Sequence, residues 1–400
     1  MWKTVAIIVT MAAVALANTA TAPWSDVPQT SELPPTSEFA RVLFTALGQS
    51  NISLVISPYS LVSLLIQIAT YAQGETAAQI LSPLGMQLNH LEQIVQGMHQ
   101  LREALHESVA QGLVNYLDPT FMIANGTRFV VLQSIGQEGP FNVRDEAGAY
   151  TPEFVHDFVS DHTEGRVSIQ VPSEALGVNT IVVVDAMIVQ ARWHDLFNRN
   201  QTSRHAFKSE TPDGYVDTEV DMMTGVRTAL WRRHDDLRVD MLQLPLRDPQ
   251  LVFAIVLPHD TEGLPALERT LMGNGHLLEE ISQGLVQTRV RVSIPKFRFG
   301  GTLFVKDGLE DLGIAYAFDP TRADFRNISD FENLYLYDVV HAVAVEVNED
   351  GVAIRTPLES ATPAALASPE QTLVVDHPFL FFIKHNGLGQ VLMAGKYLGP

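Results

Sequence analysis

The side chains of this 400-residue chain that could do chemistry are spaced against most kinds of it. His156 and His162 are six positions apart, whereas neighbours on a helix face stand three or four apart, so they do not form a helical metal pair. His194-Asp195 and His234-Asp235-Asp236 are mixed polar clusters without ligand spacing and read as solvated surface. Arg232-Arg233 precedes acids and forms no basic stripe. There is no Cys, which removes thiol nucleophiles, zinc–thiolate sites, iron–sulfur clusters and disulfides together. Neither an H-E-x-x-H pair nor a G-x-S-x-G elbow occurs. Gly387-Leu388-Gly389 followed by Gly395-Lys396-Tyr397 lacks both P-loop spacing and the hydroxyl after the lysine. The expectation is a protein that is not an enzyme and carries no metal and no cofactor.

The formal net charge of −20 adds an exclusion, because phosphate backbones and acidic lipid would repel such a chain at long range. Nucleic acid is therefore not an expected partner. With 46% hydrophobic and 18% charged residues the chain falls among folded globular proteins, and its size lets burial do the work of cross-links. Residues 1–17 read as a signal peptide: Met1-Trp2-Lys3 is a short basic start, an apolar run follows, and Ala15-Leu16-Ala17 is a small-x-small cleavage site. Ala20-Thr21-Ala22 is a second cut, disfavoured by Pro23. The run is too short to span a bilayer comfortably, so the mature chain is expected to be secreted, extracellular and without a membrane contact. Sequons at Asn51, Asn125, Asn200 and Asn327 suit that route.

Residues 18–37 are polar and proline-bearing, a loose lead-in, and residues 38–400 then continue without a linker as one domain. Ser57-Pro58 predicts a helix start, with Leu61, Leu64, Leu65 and Ile68 on one face and Gly74 at its end. Thr76 and Gln79 read as a capping box opening a second helix. Farther on the period changes. Residues 181–184 and 251–257 are short apolar runs suited to strands buried on both faces, and Arg289-Val290-Arg291-Val292 alternates like a half-exposed strand. Helices followed by many strands indicate an α+β class with mixed or antiparallel sheets. Residues 351–371 carry Pro357, Pro363 and Pro369 among small polar residues and read as a long exposed loop, the kind commonly used for function.

Several blocks resemble the serpin family in order along most of the mature chain. Ser57-Pro58-Tyr59-Ser60 is similar to its S-P-x-S, and Gly74-Glu75-Thr76-Ala77-Ala78-Gln79-Ile80 to the G-x-T-x-x-Q-I segment that follows. Thr163-Glu164-Gly165-Arg166, Trp193 with Phe197, Met222-Met223, Leu244-Pro245 and Ile294-Pro295-Lys296-Phe297 continue the series. Glu346-Val347-Asn348-Glu349-Asp350-Gly351 resembles the strand and hinge before the reactive loop, and Val375-Asp376-His377-Pro378-Phe379 the signature after it.

The resemblance implies three β-sheets surrounded by helices, with the reactive-centre loop exposed as bait for an extracellular serine protease and the protein acting as a monomer. In inhibitory members the protease is acylated by the loop, which then inserts as a strand and distorts the trapped enzyme. The scissile region falls at Ala365, Leu366 and Ala367, where Leu366 suits an elastase-like or chymotrypsin-like pocket. The hinge runs through Glu349, Asp350, Gly351, Val352, Ala353, Ile354, Arg355, Thr356 and Pro357. The family's small hinge residues are replaced here by Val352, Ile354, Arg355 and Pro357. Val352, Ile354, Thr356 and Leu358 alternate as an inserting strand would, yet Pro357 lacks a ladder donor. Both an inhibitor and a non-inhibitory carrier, cleavable signal or binding protein fit. Ser60, Asp185 and His341 are assigned by resemblance to the place where the main sheet opens. Asp185 stands where the family usually has Asn, either paired with His341 or as a tolerated polar variant.

Overall fold

Ser57 and Pro58 start a helix for two separate reasons. The Ser57 hydroxyl accepts the Ser60 N–H at 3.2 Å as an N-cap, and the proline ring presets the backbone of the first turn. The computed structural model of the chain describes residues 52–97, 114–125, 128–133, 142–145, 156–157, 160, 165, 169–176, 179–189, 191–248, 250–273, 281–328, 334–352, 369–385 and 390–400. Of the sequence expectations, the signal peptide, the lead-in, Asn51, Ala353 to Pro357 and the scissile region lie outside these residues.

In chain order the elements are β1 (Leu54–Ile56), α1 (Pro58–Tyr71), α2 (Gly74–Leu81), β2 (Val114–Asn125), β3 (Arg128–Gln133), β4 (Asn142–Asp145), β5 (Thr180–Val189) and β6 (Ala191–Arg192). Next come β7 (Thr202–Thr211), β8 (Gly214–His234), β9 (Val239–Pro245), β10 (Leu251–Pro258), α3 (Leu264–Gly273), β11 (Val286–Pro295), β12 (Phe297–Phe304) and α4 (Lys306–Asp311). The chain closes with β13 (Tyr335–Asn348), β14 (Gly351–Val352), β15 (Gln371–Val374), β16 (Phe379–His385) and β17 (Gln390–Tyr397).

Helix α1 is buried nearly all round, with Tyr59, Val62 and Ile66 enclosed in addition to the expected stripe. Two local expectations are corrected. Helix α1 ends at Tyr71 with Ala72 as its cap, and Gly74, at φ +53°, opens α2 instead of closing α1. The Thr76–Gln79 capping box does not form. Thr76 Oγ1 accepts the Asp324 N–H at 3.1 Å, and Gln79 Oε1 accepts Ala315 and Tyr316 N–H groups at 3.2 and 2.9 Å. These side chains tie α2 to a distant segment, so tertiary partners outcompete the local cap.

The strands obey their patterns: β5 and β10 are buried along their whole length, and β11 buries Val290 and Val292 while Arg291 is exposed. Counted by backbone hydrogen bonds, the described strands make two sheets. The nine-stranded one runs β1-β17-β16-β10-β9-β8-β11-β15, with β7 attached to β8. Strand β8 is 21 residues long, pairing first with β7, then β11, then β9, and through it two of the three expected sheets share one ladder. The eight-stranded sheet runs β4-β3-β2-β5-β13-β14-β6, with β12 on β13. Phe297, Phe379, Phe381 and Tyr397 pack between the two sheets, while α1 and α2 cover the other face of β5 and β13.

Candidate functional site

The eight-stranded sheet is built around a seam and a fork. Strands β5 and β13 run parallel and pair directly from Thr180/Tyr335 up to Ile188/Ala344. Above that point they part. Gly351 and Val352 turn back into the opening as β14, antiparallel to β13 through Val347↔Val352 and antiparallel to β6 through Val352↔Ala191. The expected loop therefore begins later than its sequence suggests: Gly351 and Val352 are buried strand residues, and Val352 joins the intersheet core.

The turn that returns the chain into the fork is held from every side. Asn348 Oδ1 accepts the N–H groups of Asp350 and Gly351 at 3.0 and 3.2 Å, an Asx turn. Phe197 N–H donates to Glu349 O at 3.0 Å, Trp193 N–H to Asp350 O at 3.1 Å, and the Trp193 indole to Asn348 O at 2.7 Å. Both turn carboxylates are buried and partnered. Glu349 Oε1 accepts the Thr202 hydroxyl at 2.8 Å and lies 3.1 Å from Lys296 Nζ; Asp350 pairs with Arg199. Sequence blocks pointed to Trp193, Phe197 and Lys296, but Arg199 and Thr202 carry no local signal, since their partners lie some 150 positions away. Asn348 with Gly351 three residues on was a readable turn signature.

Burial pushes the Glu349 carboxyl upward, but its backbone hydrogen bond, Thr202 and Lys296 together outweigh that and hold it below the ordinary glutamate range. A depressed folded-state value stabilises above the unfolded pKa of about 4.3, and the benefit is lost as pH falls through the folded value. The stability advantage of the wild type over Glu349→Gln is thus expected to be constant near neutrality and to shrink on acidification below about pH 4.3. Urea midpoints of the two proteins against pH test this, and a gap that stays constant into acid would refute it.

Below the fork, the structure brings Ser60, Asp185 and His341 together in the seam. Asp185 and His341 are register partners on β5 and β13, both fully buried, with Asp185 Oδ2 2.6 Å from His341 Nδ1 and accepting the Ser60 hydroxyl at 2.7 Å. The Ser57 N–H donates to His341 Nε2 at 3.0 Å, so a neutral ring carries its proton on Nδ1, toward the carboxylate. Asp185 is therefore a paired residue, and the start of α1 is fastened to both seam strands. Its Oδ1 has no partner.

The histidine clusters divide. His194 is exposed beside Asp195, as expected of surface. His234 corrects the surface reading: at the end of β8 it is buried, with Nε2 2.9 Å from Ile281 O. Among the described residues no group of His, Asp and Glu is arranged to hold a metal, and no helix is long and apolar enough to cross a membrane. Of the sequons, Asn125 ends β2 and Asn200 is exposed. Asn327 Nδ2 donates to Thr70 O and Ala72 O at 3.1 and 3.3 Å, capping the end of α1. Attaching a glycan would displace that cap. Peptide mass spectrometry of protein from a secreting eukaryotic host is expected to find glycan at Asn200 and an unmodified Asn327; heavy occupancy at Asn327 would overturn this.

The sheet thus holds Gly351 and Val352 in a fork above a pinned parallel seam. A family model described as Serpin (serine protease inhibitor) matches residues 35–400, and the chain belongs to the serpin family. It is 25% identical over 381 residues to the leukocyte elastase inhibitor of Homo sapiens, covering 91% of this chain and 98% of that protein. Serpin B8 of Homo sapiens is 26% identical over 376 residues, with 90% and 97% covered. A solved serpin from the trematode Schistosoma haematobium superposes with a TM-score of 0.71 at 23% identity, covering 91% and 99% of the two chains.

Proposed function

We propose that the protein is a secreted suicide-substrate inhibitor of an extracellular serine protease with elastase-like or chymotrypsin-like specificity. One observation carries the reading: Gly351 and Val352 already lie between β13 and β6, antiparallel to both, which is the position and direction that further insertion would extend. The protease serine attacks the loop carbonyl near Leu366, the peptide bond breaks, the new amino terminus leaves, and an ester holds the enzyme to the shortened loop. Insertion then competes with hydrolysis of that ester. In an inserted strand, period-two alternation from Val352 would put Ile354, Thr356 and Leu358 on one face and Arg355 and Glu359 on the other. The relatives named leukocyte elastase inhibitor support the target class. The leader at residues 1–17 supports secretion.

The second reading, a non-inhibitory carrier, cleavable signal or binding protein, is favoured by the bulk of Ile354 and Arg355 and by Pro357, which offers no N–H to a central strand. Incubating the mature protein with an elastase-like and a chymotrypsin-like protease, followed by a denaturing gel, separates the two. A covalent band of combined mass, with a released peptide starting near Leu366, is the expected result. Clean loop cleavage with the protease still active would replace it with the second reading. Changing Ile354, Arg355 and Pro357 to small residues is expected to shift the partition toward complex by about fivefold, the effect of lowering the insertion barrier by about 1 kcal/mol. An unchanged ratio would show that the hinge does not limit insertion.

A further inference from the structure

The chain holds three Asp-Gly pairs, Asp213-Gly214, Asp307-Gly308 and Asp350-Gly351. A glycine has no side chain to shield its backbone nitrogen or to restrict its backbone, so that nitrogen can attack the side-chain carbon of the preceding aspartate. The carboxylate takes up a proton, the N–C bond closes a five-membered imide, and one carboxyl oxygen leaves as water with the amide proton. Solvent water then opens the ring at either carbonyl. One opening restores aspartate; the other leaves isoaspartate, whose main chain runs through the former side chain and is one carbon longer. No further reactant is needed, and the rate depends on whether the side chain can swing onto the next nitrogen.

The fold treats the three pairs differently. Asp213 and Gly214 are exposed at the tip of the β7–β8 hairpin. Asp307 and Gly308 lie in α4, where the Gly308 carbonyl accepts the Leu312 N–H at 3.2 Å and the helix fixes the backbone. Asp350 and Gly351 are buried in the turn that enters the fork, and the groups that the reaction would move are tied down. Arg199 holds Asp350 Oδ2, the Gly351 N–H donates to Asn348 Oδ1 at 3.2 Å, and the Trp193 N–H donates to Asp350 O at 3.1 Å. The carboxyl is thus engaged by one partner and the attacking nitrogen by another. The Asp350 side chain is 6% exposed but that of Arg199 is 52% exposed, so this ion pair is the tie most open to water.

We propose that Asp350 is a covalent modification site, protected while the turn is seated and converted to isoaspartate only while the turn is out of its seat. For the fold the step is one-way. Strand β14 is two residues long, with Val352 held opposite Val347 on one side and Ala191 on the other, and the Asx turn spans only Asn348 to Gly351. An added main-chain carbon inside that turn leaves no register in which Gly351 meets Arg192 while Val352 returns to the core. Each brief opening therefore carries a chance of permanent loss of the seat, and the seated fraction falls as the molecule ages. The conversion depends on neither functional reading; only a falling yield of protease complex with age would rest on the inhibitor reading.

The test incubates the mature protein for several weeks at neutral pH and body temperature. Peptide mass spectrometry with electron-transfer fragmentation then reads isoaspartate at each pair, beside a synthetic peptide of residues 345–352. Asp350 in the wild type is expected to convert about a hundredfold more slowly than in the peptide, because only the open fraction reacts. Arg199→Ala, a change at a half-exposed side chain, is expected to raise the Asp350 rate about tenfold and to leave Asp213 and Asp307 unaffected. Asp350→Glu, which would need a six-membered ring, is expected to gain no such product at position 350. In aged samples the fraction of molecules with fast amide exchange at Val352 is expected to match the isoaspartate content at Asp350. The proposal fails if Asp350 converts as fast as the peptide, if Arg199→Ala leaves its rate unchanged, or if isoaspartyl molecules keep a slowly exchanging Val352 amide. Because no protease enters these measurements, a failed complex on the gel would sink the inhibitor reading while leaving this result standing.

Discussion

Gly351→Ala is expected to eject Gly351 and Val352 from the sheet. At φ +154° the residue sits where side-chain-bearing residues are rarely found, and a Cβ there would stand 2.1 Å from Ala191 O and 2.7 Å from Arg192 Cα. Those are backbone atoms of β6. They cannot retreat cheaply, because Arg192 O accepts the Arg247 N–H at 2.7 Å and Trp193 N–H is bonded to Asp350 O. The chain escapes the clash by releasing Gly351 and Val352, so the cost is capped at what the seat contributes. Burying Val352 contributes about 2 kcal/mol, and each of the main-chain bonds lost to water adds up to about 1 kcal/mol. A loss near 3 kcal/mol follows, together with fast amide exchange at Val352 and a lower yield of protease complex. Wild-type urea stability with fast Val352 exchange in both proteins would show that the fork is not occupied in solution, and a protected Val352 amide in the variant would show that β6 yields to the added methyl.

His341→Ala is expected to be more damaging still. Its removal leaves Asp185 fully buried with only the Ser60 hydroxyl on Oδ2 and nothing on Oδ1, and it takes the acceptor from the Ser57 N–H at the head of α1. Breaking one side of a buried pair in this way typically costs about 3–5 kcal/mol. Asp185→Asn makes the informative contrast. An amide oxygen can accept from the same Ser60 hydroxyl and His341 Nδ1–H, so its stability is expected to stay within about 1 kcal/mol of wild type. If urea unfolding ranks the two variants alike, the seam depends on the charge of Asp185 and not on its acceptor geometry. On the inhibitor reading, full insertion would place a strand between β5 and β13 and move the register partners Asp185 and His341 apart by one extra strand spacing, about 4.8 Å, so this bond would open on the way.

What could be read in the sequence was local. Ser57-Pro58, the apolar runs of β5 and β10 and the alternation of β11 each express a rule that acts over a few residues, and tertiary packing agreed with it. Thr76 and Gln79 obeyed a local rule too, but Asp324, Ala315 and Tyr316 offered better partners from some 240 positions away. The seating of Val352 was hidden for a similar reason. Nothing in Gly351-Val352 marks a strand; the fork between β13 and β6 makes it one, and that fork exists only after residues 191–192 and 347–348 have met. Arg199 and Thr202 could not be joined to Asp350 and Glu349 by spacing. The pairing of Asp185 with His341 was one of two open readings, and a 2.6 Å contact decides between them.

The order of strands in the larger sheet also bears on how the protein is made. Strands β16 and β17 are made after every other described strand of this sheet, yet they lie between β1 and β10, and Leu54 pairs with Lys396 across 342 positions. Until residues 379–397 emerge, β1 has no neighbour in this sheet among the described strands and one side of β10 is open. Closure must therefore wait for residues 379–397 and proceed through contacts of high sequence separation, which form slowly and leave apolar strand edges uncovered meanwhile. A nascent chain stalled or truncated by a few tens of residues would carry a formed fork and seam beside an unsealed sheet, a species prone to self-association and suited to capture by chaperones.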